Sequence, residues 1–273
     1  MPLINNSETQ IISLNMTSIL FEIKNSIAFI TLNRPEKYNA FTREMALLLQ
    51  QKLDECEMNI SVRCVMITGA GKAFSAGQDL SEVTDPNGPG MEKILTESYN
   101  PIVTKIRSLN KPVLAAVNGV AAGAGANIAL CCDIVIASEN ASFIQAFSKI
   151  GLIPDSGGTY FLPRLIGFQK ASAIMMLGDK ISATEAEKSG MVYKTFSTET
   201  FFTEAEKMAI TLSQLPTKAL AFTKYALNKS FEQNFEQQLQ TEDFLQQKAS
   251  STNDFKEGVA AFSEKRKPDF KGD

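Results

Sequence analysis

The stretch PVLAAVNGVAAGAGANIALCCDIVIA, Pro112–Ala137, sets the fold class. It opens on an apolar run, Pro112–Val117, that reads as a buried strand. A second apolar run, Ile134–Ala137, reads as another. Between them the alanine-rich Ala121–Leu130 reads as a buried helix. Strand, helix and strand in such quick succession imply a crossover unit, and hence an α/β chain built on parallel pairing.

The same pattern extends upstream. Ile19–Leu32 reads as two short strands with Asn25 and Ser26 at the turn. Thr42 is a candidate N-cap for a helix across Phe41–Asn59, where Met45, Leu48, Leu49 and Leu53 recur at helical spacing. Cys64–Thr68 is a further buried strand and leads into the flexible Gly69-Ala70-Gly71. Asp85–Gly90, with two prolines and two glycines, is a loop, and Glu92–Leu109 is helical in character. Beyond Ser213 the alternation stops. Pro216 suits a helix start, and Ala219–Phe262 is nearly all helical, rich in Gln, Glu, Lys and Phe. The expected division is a core over 1–212 and a helical region over 213–273. Phe222, Phe231, Phe235, Phe244, Phe255 and Phe262 need a surface to pack on, either a neighbouring subunit or the chain's own core.

Composition narrows the chemistry. The 273 residues are 44% hydrophobic and 21% charged, with a formal net charge of −3, as in ordinary globular proteins. No basic field favours nucleic acid. Cys56, Cys64, Cys131 and Cys132 show no metal-ligand or disulfide spacing and read as buried free thiols, so no metal site is expected. Histidine and tryptophan are absent. Mechanisms that need a histidine base or ligand are thereby excluded, and proton transfer falls to a carboxylate, Lys, Tyr, Cys or water. No apolar run approaches the roughly 20 residues of a membrane span. The first sixteen residues suggest neither a signal nor a transit peptide, and Lys271-Gly272-Asp273 is no peroxisomal address, so a cytoplasmic protein is expected.

Two stretches are suited to presenting backbone amides to a ligand. One is Ala73–Leu80, which follows a strand and a Gly-rich turn; the other is Asn118–Asn127. Small side chains let the backbone approach a bound group, and the first N–H groups of a helix lack internal partners. Two such amides on one carbonyl oxygen would form an oxyanion hole; the same glycines and alanines also suit tight helix packing. In Gly151–Thr159, Asp155 stands between apolar residues and a Gly-Gly turn. It suits either a helix cap or a carboxylate partly desolvated by Leu152 and Ile153 and tuned toward use as a base.

Taken together, Asn33–Ala40, Phe74–Leu80, Pro112–Ala126 with Cys132-Asp133, and Gly151–Thr159 resemble the crotonase (enoyl-CoA hydratase/isomerase) superfamily, from about Ser18 to Phe270. The resemblance implies a spiral of repeated ββα units with a C-terminal helical region used in trimerisation, as a homotrimer or a dimer of trimers. It implies an acyl-CoA substrate and no separate cofactor, CoA being part of the substrate. By position, the oxyanion hole falls on the N–H groups of Gln78 and Ala124. Lys37, Ala40 and Ala76 lie where the family binds CoA, with Asp79, Leu80 and Phe147 also at the substrate. Phe262 and Lys265 match residues that reach CoA from a neighbouring subunit.

Family hydratases use two glutamates, and the matching positions here are Asn127 and Phe147. Neither can exchange a proton. Asp155 remains as the one expected acid/base, which suits an isomerase that shifts a double bond through an enolate. Within the family the pattern resembles the branch that isomerises ring 1,2-epoxyphenylacetyl-CoA, with the Δ3-Δ2-enoyl-CoA isomerases as the related possibility. A hydratase working through Asp155 and an ordered water is the alternative within the family; a non-catalytic CoA- or RNA-binding member is the alternative outside catalysis.

Overall fold

The structure, a computed structural model, describes residues 17–273; the expectation drawn from the first sixteen lies outside them. Among the described residues ten strands form two sheets. Strands β1 (Ile19–Lys24) and β2 (Ile27–Leu32) make the expected antiparallel hairpin. Thr42 caps α1 (Arg43–Met58) as predicted, its side chain accepting from Met45 N–H. From there the chain deals its strands to two sheets. The first sheet receives β3 (Cys64–Gly69), β5 (Val113–Val117), β7 (Ile134–Ser138) and β10 (Lys194–Phe196), in the order β1-β2-β3-β5-β7-β10. The second receives β4 (Ala73–Ser75), β6 (Val120–Ala122), β8 (Ser142–Ile144) and β9 (Lys180–Ser182), in the order β4-β6-β8-β9. Strands thus alternate between the sheets from β3 to β8; β9 then pairs antiparallel with β8 in the second sheet before β10 returns to the first.

Both faces of the larger sheet are covered at its centre, which is why β3, β5 and β7 read as apolar runs. Val65, Ile67, Val113, Ala115 and Val117 face the interior cluster. Their neighbours Cys64, Met66, Leu114 and Ala116 face Phe201, Ala205 and Ala209 of α9 (Phe201–Gln214). The two-residue period of the strand sorts one set from the other. All four cysteines are buried and free, as read from their spacing.

Two stretches depart from the sequence reading. The helix expected from Ala121 begins three residues later. Val120–Ala122 is strand, Gly123 bends the chain at φ 52° and ψ −130°, and α5 runs Ala124–Leu130. The stretch expected as one helix from Glu92 is three pieces. Between α3 (Gly90–Lys93) and α4 (Asn100–Ser108) lies a π turn, Ile94–Tyr99. Its cause is Pro101, which has no N–H to give the Glu97 carbonyl. The Gln50 side chain supplies that donor at 2.8 Å, and Asn100 N–H reaches back to Leu95.

A short helix, α2 (Leu80–Thr84), follows the Ala73–Leu80 stretch. After Asp155 come α6 (Gly158–Ile166), α7 (Phe168–Leu177) and α8 (Ala183–Lys188). The tail is helical as expected, in three segments: α10 (Thr217–Lys229), α11 (Phe235–Ser250) and α12 (Asn253–Ser263). Of its six phenylalanines, Phe235, Phe244 and Phe262 are more than half exposed, whereas Phe231 packs back on α6, its ring edge-on to Tyr160 at 5.6 Å. Among the described residues no helix is long and apolar enough to cross a membrane.

Candidate active site

The site forms where three loops meet. The first meeting is between residues 33–41 and 70–79. Asn39 is fully buried; its side-chain amide donates to the carbonyls of Ala70 and Ala73, and its Oδ1 accepts from Arg34 N–H. Arg34 pairs with Asp79 at 3.0 Å. Ser75 Oγ donates to the Asn39 carbonyl, and Ala76 N–H to the Tyr38 carbonyl. Gln78 is pinned on both sides, since Phe41 N–H bonds the Gly77 carbonyl and Asp79 N–H bonds the Phe41 carbonyl. The N–H of Gln78 itself donates to no acceptor among the described residues.

The second meeting brings this turn against the start of α5. Gly77, at φ 88°, packs so closely there that an added Cβ would lie 2.9 Å from the Ala122 carbonyl oxygen and 3.3 Å from the Ala124 nitrogen. Ala124 opens the helix, and its N–H also has no partner among the described residues. Two free amides from different loops thus lie side by side. This is the arrangement that can stabilise charge growing on one carbonyl oxygen.

Asp155 arrives on the third loop. Its backbone carbonyl is gripped by Asn127 Nδ2 at 2.9 Å and by Gly158 N–H at 2.8 Å. Asn127 is buried on α5, and its Oδ1 accepts from Gln145 Nε2 at 2.8 Å. The following residue, Ser156, is buried in the left-handed region at φ 51° and donates its hydroxyl to Asp155 Oδ1 at 2.8 Å. Burial pushes the Asp155 carboxyl above the usual carboxylate range, and the bonds from the Ser156 hydroxyl and from Asp155's own N–H offset only part of that.

The two other acids nearby are committed elsewhere. Asp79 caps α2 through Ser81 and pairs with Arg34. Partial burial opposes its ionisation, yet these bonds outweigh burial and hold it below the usual range. Both carboxylate oxygens of Glu82 accept from Arg43 N–H, and one also takes Gln78 Nε2 at 3.2 Å. Environments that push carboxyl groups apart in this way separate the structural acid from the available one.

Some expectations change. Asp155 does not cap the following helix with its side chain: the N-cap of α6 is Gly157, with no side-chain cap bond. Nor does Ile153 desolvate it, since 81% of its surface is exposed. Sequence reasoning also missed Tyr99, which is fully buried and donates its hydroxyl to Gln78 Oε1 at 2.9 Å. Burial, then the charges of Asp155 and Glu82, push its phenol well above its ordinary value. It missed the Asn127–Gln145 pair as well, because the partners lie 18 residues apart and carry no joint motif.

The enoyl-CoA hydratase/isomerase family model matches residues 22–273. The chain belongs to that family, the crotonase superfamily. It is 43% identical over 260 residues to the 1,2-epoxyphenylacetyl-CoA isomerase of Escherichia coli K12, covering 94% of this chain and 99% of that one. It is 33% identical over 257 residues to the 2,3-dehydroadipyl-CoA hydratase of the same organism, covering 94% and 100%. The crystal structure of an enoyl-CoA hydratase from Polaromonas sp. JS666 superposes with a TM-score of 0.86 at 34% identity, over 92% and 99% of the two chains.

Against this crotonase fold the remaining expected residues fall into two groups. Lys37 and Ala76 are exposed and Ala40 is buried, all on the loops that hold Gln78; exposed Leu80 opens α2 beside them. Phe147 is buried and faces the amide turn, its ring 3.7 Å from where a Gly123 Cβ would stand. Phe262 and Lys265 belong to another region. Phe262 lies 86% exposed at the end of α12, in a groove lined by Pro216, Val259 and Phe270. Within one chain no hydrogen bond links either residue to the site loops among the described residues.

Proposed function

We propose that this crotonase-family enzyme is an acyl-CoA isomerase that works with one carboxylate. The observation that carries the reading is Asp155: of the acids around the two free amides it alone has neither a cation nor another residue's backbone amide on its carboxylate, and burial raises its pKa. A thioester carbonyl held by Gln78 N–H and Ala124 N–H would have its α-protons acidified. Asp155 then takes a proton from C2 of a 3-enoyl thioester. The C2 electron pair becomes the C1–C2 double bond of a dienolate, conjugated with the C3–C4 double bond, whose charge rests on the thioester oxygen. Asp155 returns the proton to C4 as the carbonyl re-forms, giving the 2-enoyl product. One group serves as base and then as acid, and nothing else is consumed.

Hydration asks for more. Water must be deprotonated at one carbon while a proton is delivered to the next. Here Asn127 is occupied between Asp155 and Gln145, and Phe147 has no proton to give. Lys37, Ala40, Ala76, Asp79, Leu80 and Phe147 are the proposed surroundings of the CoA and acyl groups. Phe262 and Lys265 join them from a neighbouring subunit of a homotrimer or of a dimer of trimers. The name of the Escherichia coli relative makes a ring epoxide of phenylacetyl-CoA the second substrate to try.

The test is to supply a 3-enoyl-CoA and crotonyl-CoA in parallel and identify the products by mass and chromatography. Isomerisation of the first with little water addition to the second is the expected result. Rapid formation of 3-hydroxyacyl-CoA from crotonyl-CoA would overturn the reading.

A further inference from the structure

We propose that Tyr99 is a positioning residue for the oxyanion hole, aiming the Gln78 N–H by holding the Gln78 side chain. This rests on the reading of Gln78 given above and assigns a role to a residue outside the loops that carry it.

The argument begins with the helix that delivers the phenol. Ile94–Tyr99 is a π turn, a form often found at functional sites, and Tyr99 is its last residue. Tyr99 stands on the same buried face as Ile102 and Ile106 one and two turns on, and its ring meets Phe41 edge-on at 5.9 Å. Its hydroxyl donates to Gln78 Oε1 at 2.9 Å, and Gln78 Nε2 donates onward to Glu82 at 3.2 Å. Glu82 in turn holds Arg43 N–H at the start of α1.

Both ends of the Gln78 amide are therefore anchored, one to the π turn and one to the α1 terminus. The backbone of Gln78 is fixed by Phe41 on either side, so an anchored side chain leaves its N–H one direction. Oxyanion donors contribute through being fixed before charge develops, and misplacement by about 1 Å can cost about 100-fold. A buried tyrosine kept for packing alone would also find a partner for its hydroxyl, so the test must read the hole itself.

The probe is 4-(dimethylamino)cinnamoyl-CoA, whose amine donor is conjugated to the thioester carbonyl, so that its absorption moves to longer wavelength as that carbonyl is polarised. Full-length wild-type protein should shift the band to the red on binding. Tyr99→Phe keeps the ring against Phe41 and removes only the hydroxyl. It is expected to bind the probe within about threefold of wild type while losing about half the red shift or more. With a 3-enoyl-CoA, its kcat should fall about tenfold with KM little changed.

Gln78→Leu removes the acceptor instead and should reproduce the loss. Combining the two substitutions should cost no more than the worse of them, as for two members of one unit. A wild-type red shift and wild-type kcat in Tyr99→Phe would overturn the inference alone. Absence of any red shift in the wild-type complex would overturn it together with the oxyanion-hole reading.

Discussion

Asp133 and Asp155 are both largely withdrawn from water, and the chain treats them in opposite ways. Asp133 follows α5 and is surrounded by donors. Arg107 meets one oxygen at 3.0 Å; Lys224, from α10, meets the other at 2.8 Å; and Val113 N–H adds a third bond. Lys224 is only 6% exposed and also bonds the Ile106 carbonyl at the end of α4. Burial pulls the lysine below its ordinary pKa, with Asp133 acting against that shift. Asp155 has only neutral donors on its carboxylate, the Ser156 hydroxyl and its own N–H. An acid saturated by cations ties elements together, whereas one left nearly bare can bind and release a proton. The contrast between structural and reactive carboxylates thus lies in their partners.

Four experiments break or sharpen this contrast. The largest effect is expected for Asp155→Asn, which keeps the shape and the backbone contacts to Asn127 and Gly158. Loss of general acid/base catalysis is worth about 10²–10⁴-fold, and with both proton steps on one group the upper end is expected in kcat for the double-bond shift. Asp133→Asn should do the reverse. It leaves Arg107 and Lys224 buried without their counter-charge, at a cost of about 3–5 kcal/mol in denaturant unfolding. Turnover per folded molecule should remain near wild type; a collapse of kcat in a stably folded variant would erase the distinction.

Gly77→Ala comes next, because its Cβ would press on the Ala122 carbonyl beside the Ala124 amide. A loss of about 10²-fold in kcat is expected, with about 1–2 kcal/mol of stability lost to the left-handed backbone.

The smallest effect is on stability against pH. Asp155 has a raised carboxyl pKa in the folded state. The folded protein therefore holds this proton where the unfolded chain has released it, and stability falls as pH rises from the unfolded toward the folded value. Asp155→Asn should accordingly raise Tm at pH 7, by an amount that shrinks toward pH 3. Equal melting curves at both pH values would show that Asp155 is not held against its charge.

Much of the frame was legible from residue order. Thr42, the Asn25-Ser26 turn and the apolar strands announce themselves because cap chemistry and periodicity are local. The Ala-rich stretch from Val120 to Leu130 hid its short strand because small residues carry no period of two or of 3.6. Pro101 was visible, but the π turn it provokes also needs the Gln50 side chain from another helix. Asp155 and the two amide stretches were picked out from local sequence, and their convergence rested on family resemblance. The burial of Asp155 was misassigned in part to Ile153, which is 81% exposed, since hydrophobic neighbours in sequence need not be neighbours in space. Tyr99 lies 21 residues from Gln78 in an otherwise ordinary amphipathic stretch, so nothing local marked it.

The claim that one carboxylate handles both protons is tested most directly by isotope transfer. A 3-enoyl-CoA carrying two deuterons at C2 would be converted in ordinary water under single-turnover conditions, and the product analysed for deuterium at C4. A measurable fraction of label at C4 in the first turnover, absent with Asp155→Asn, is the predicted result. A product with no deuterium at C4 from the earliest conversion would contradict the account, because removal and delivery would then run through different groups.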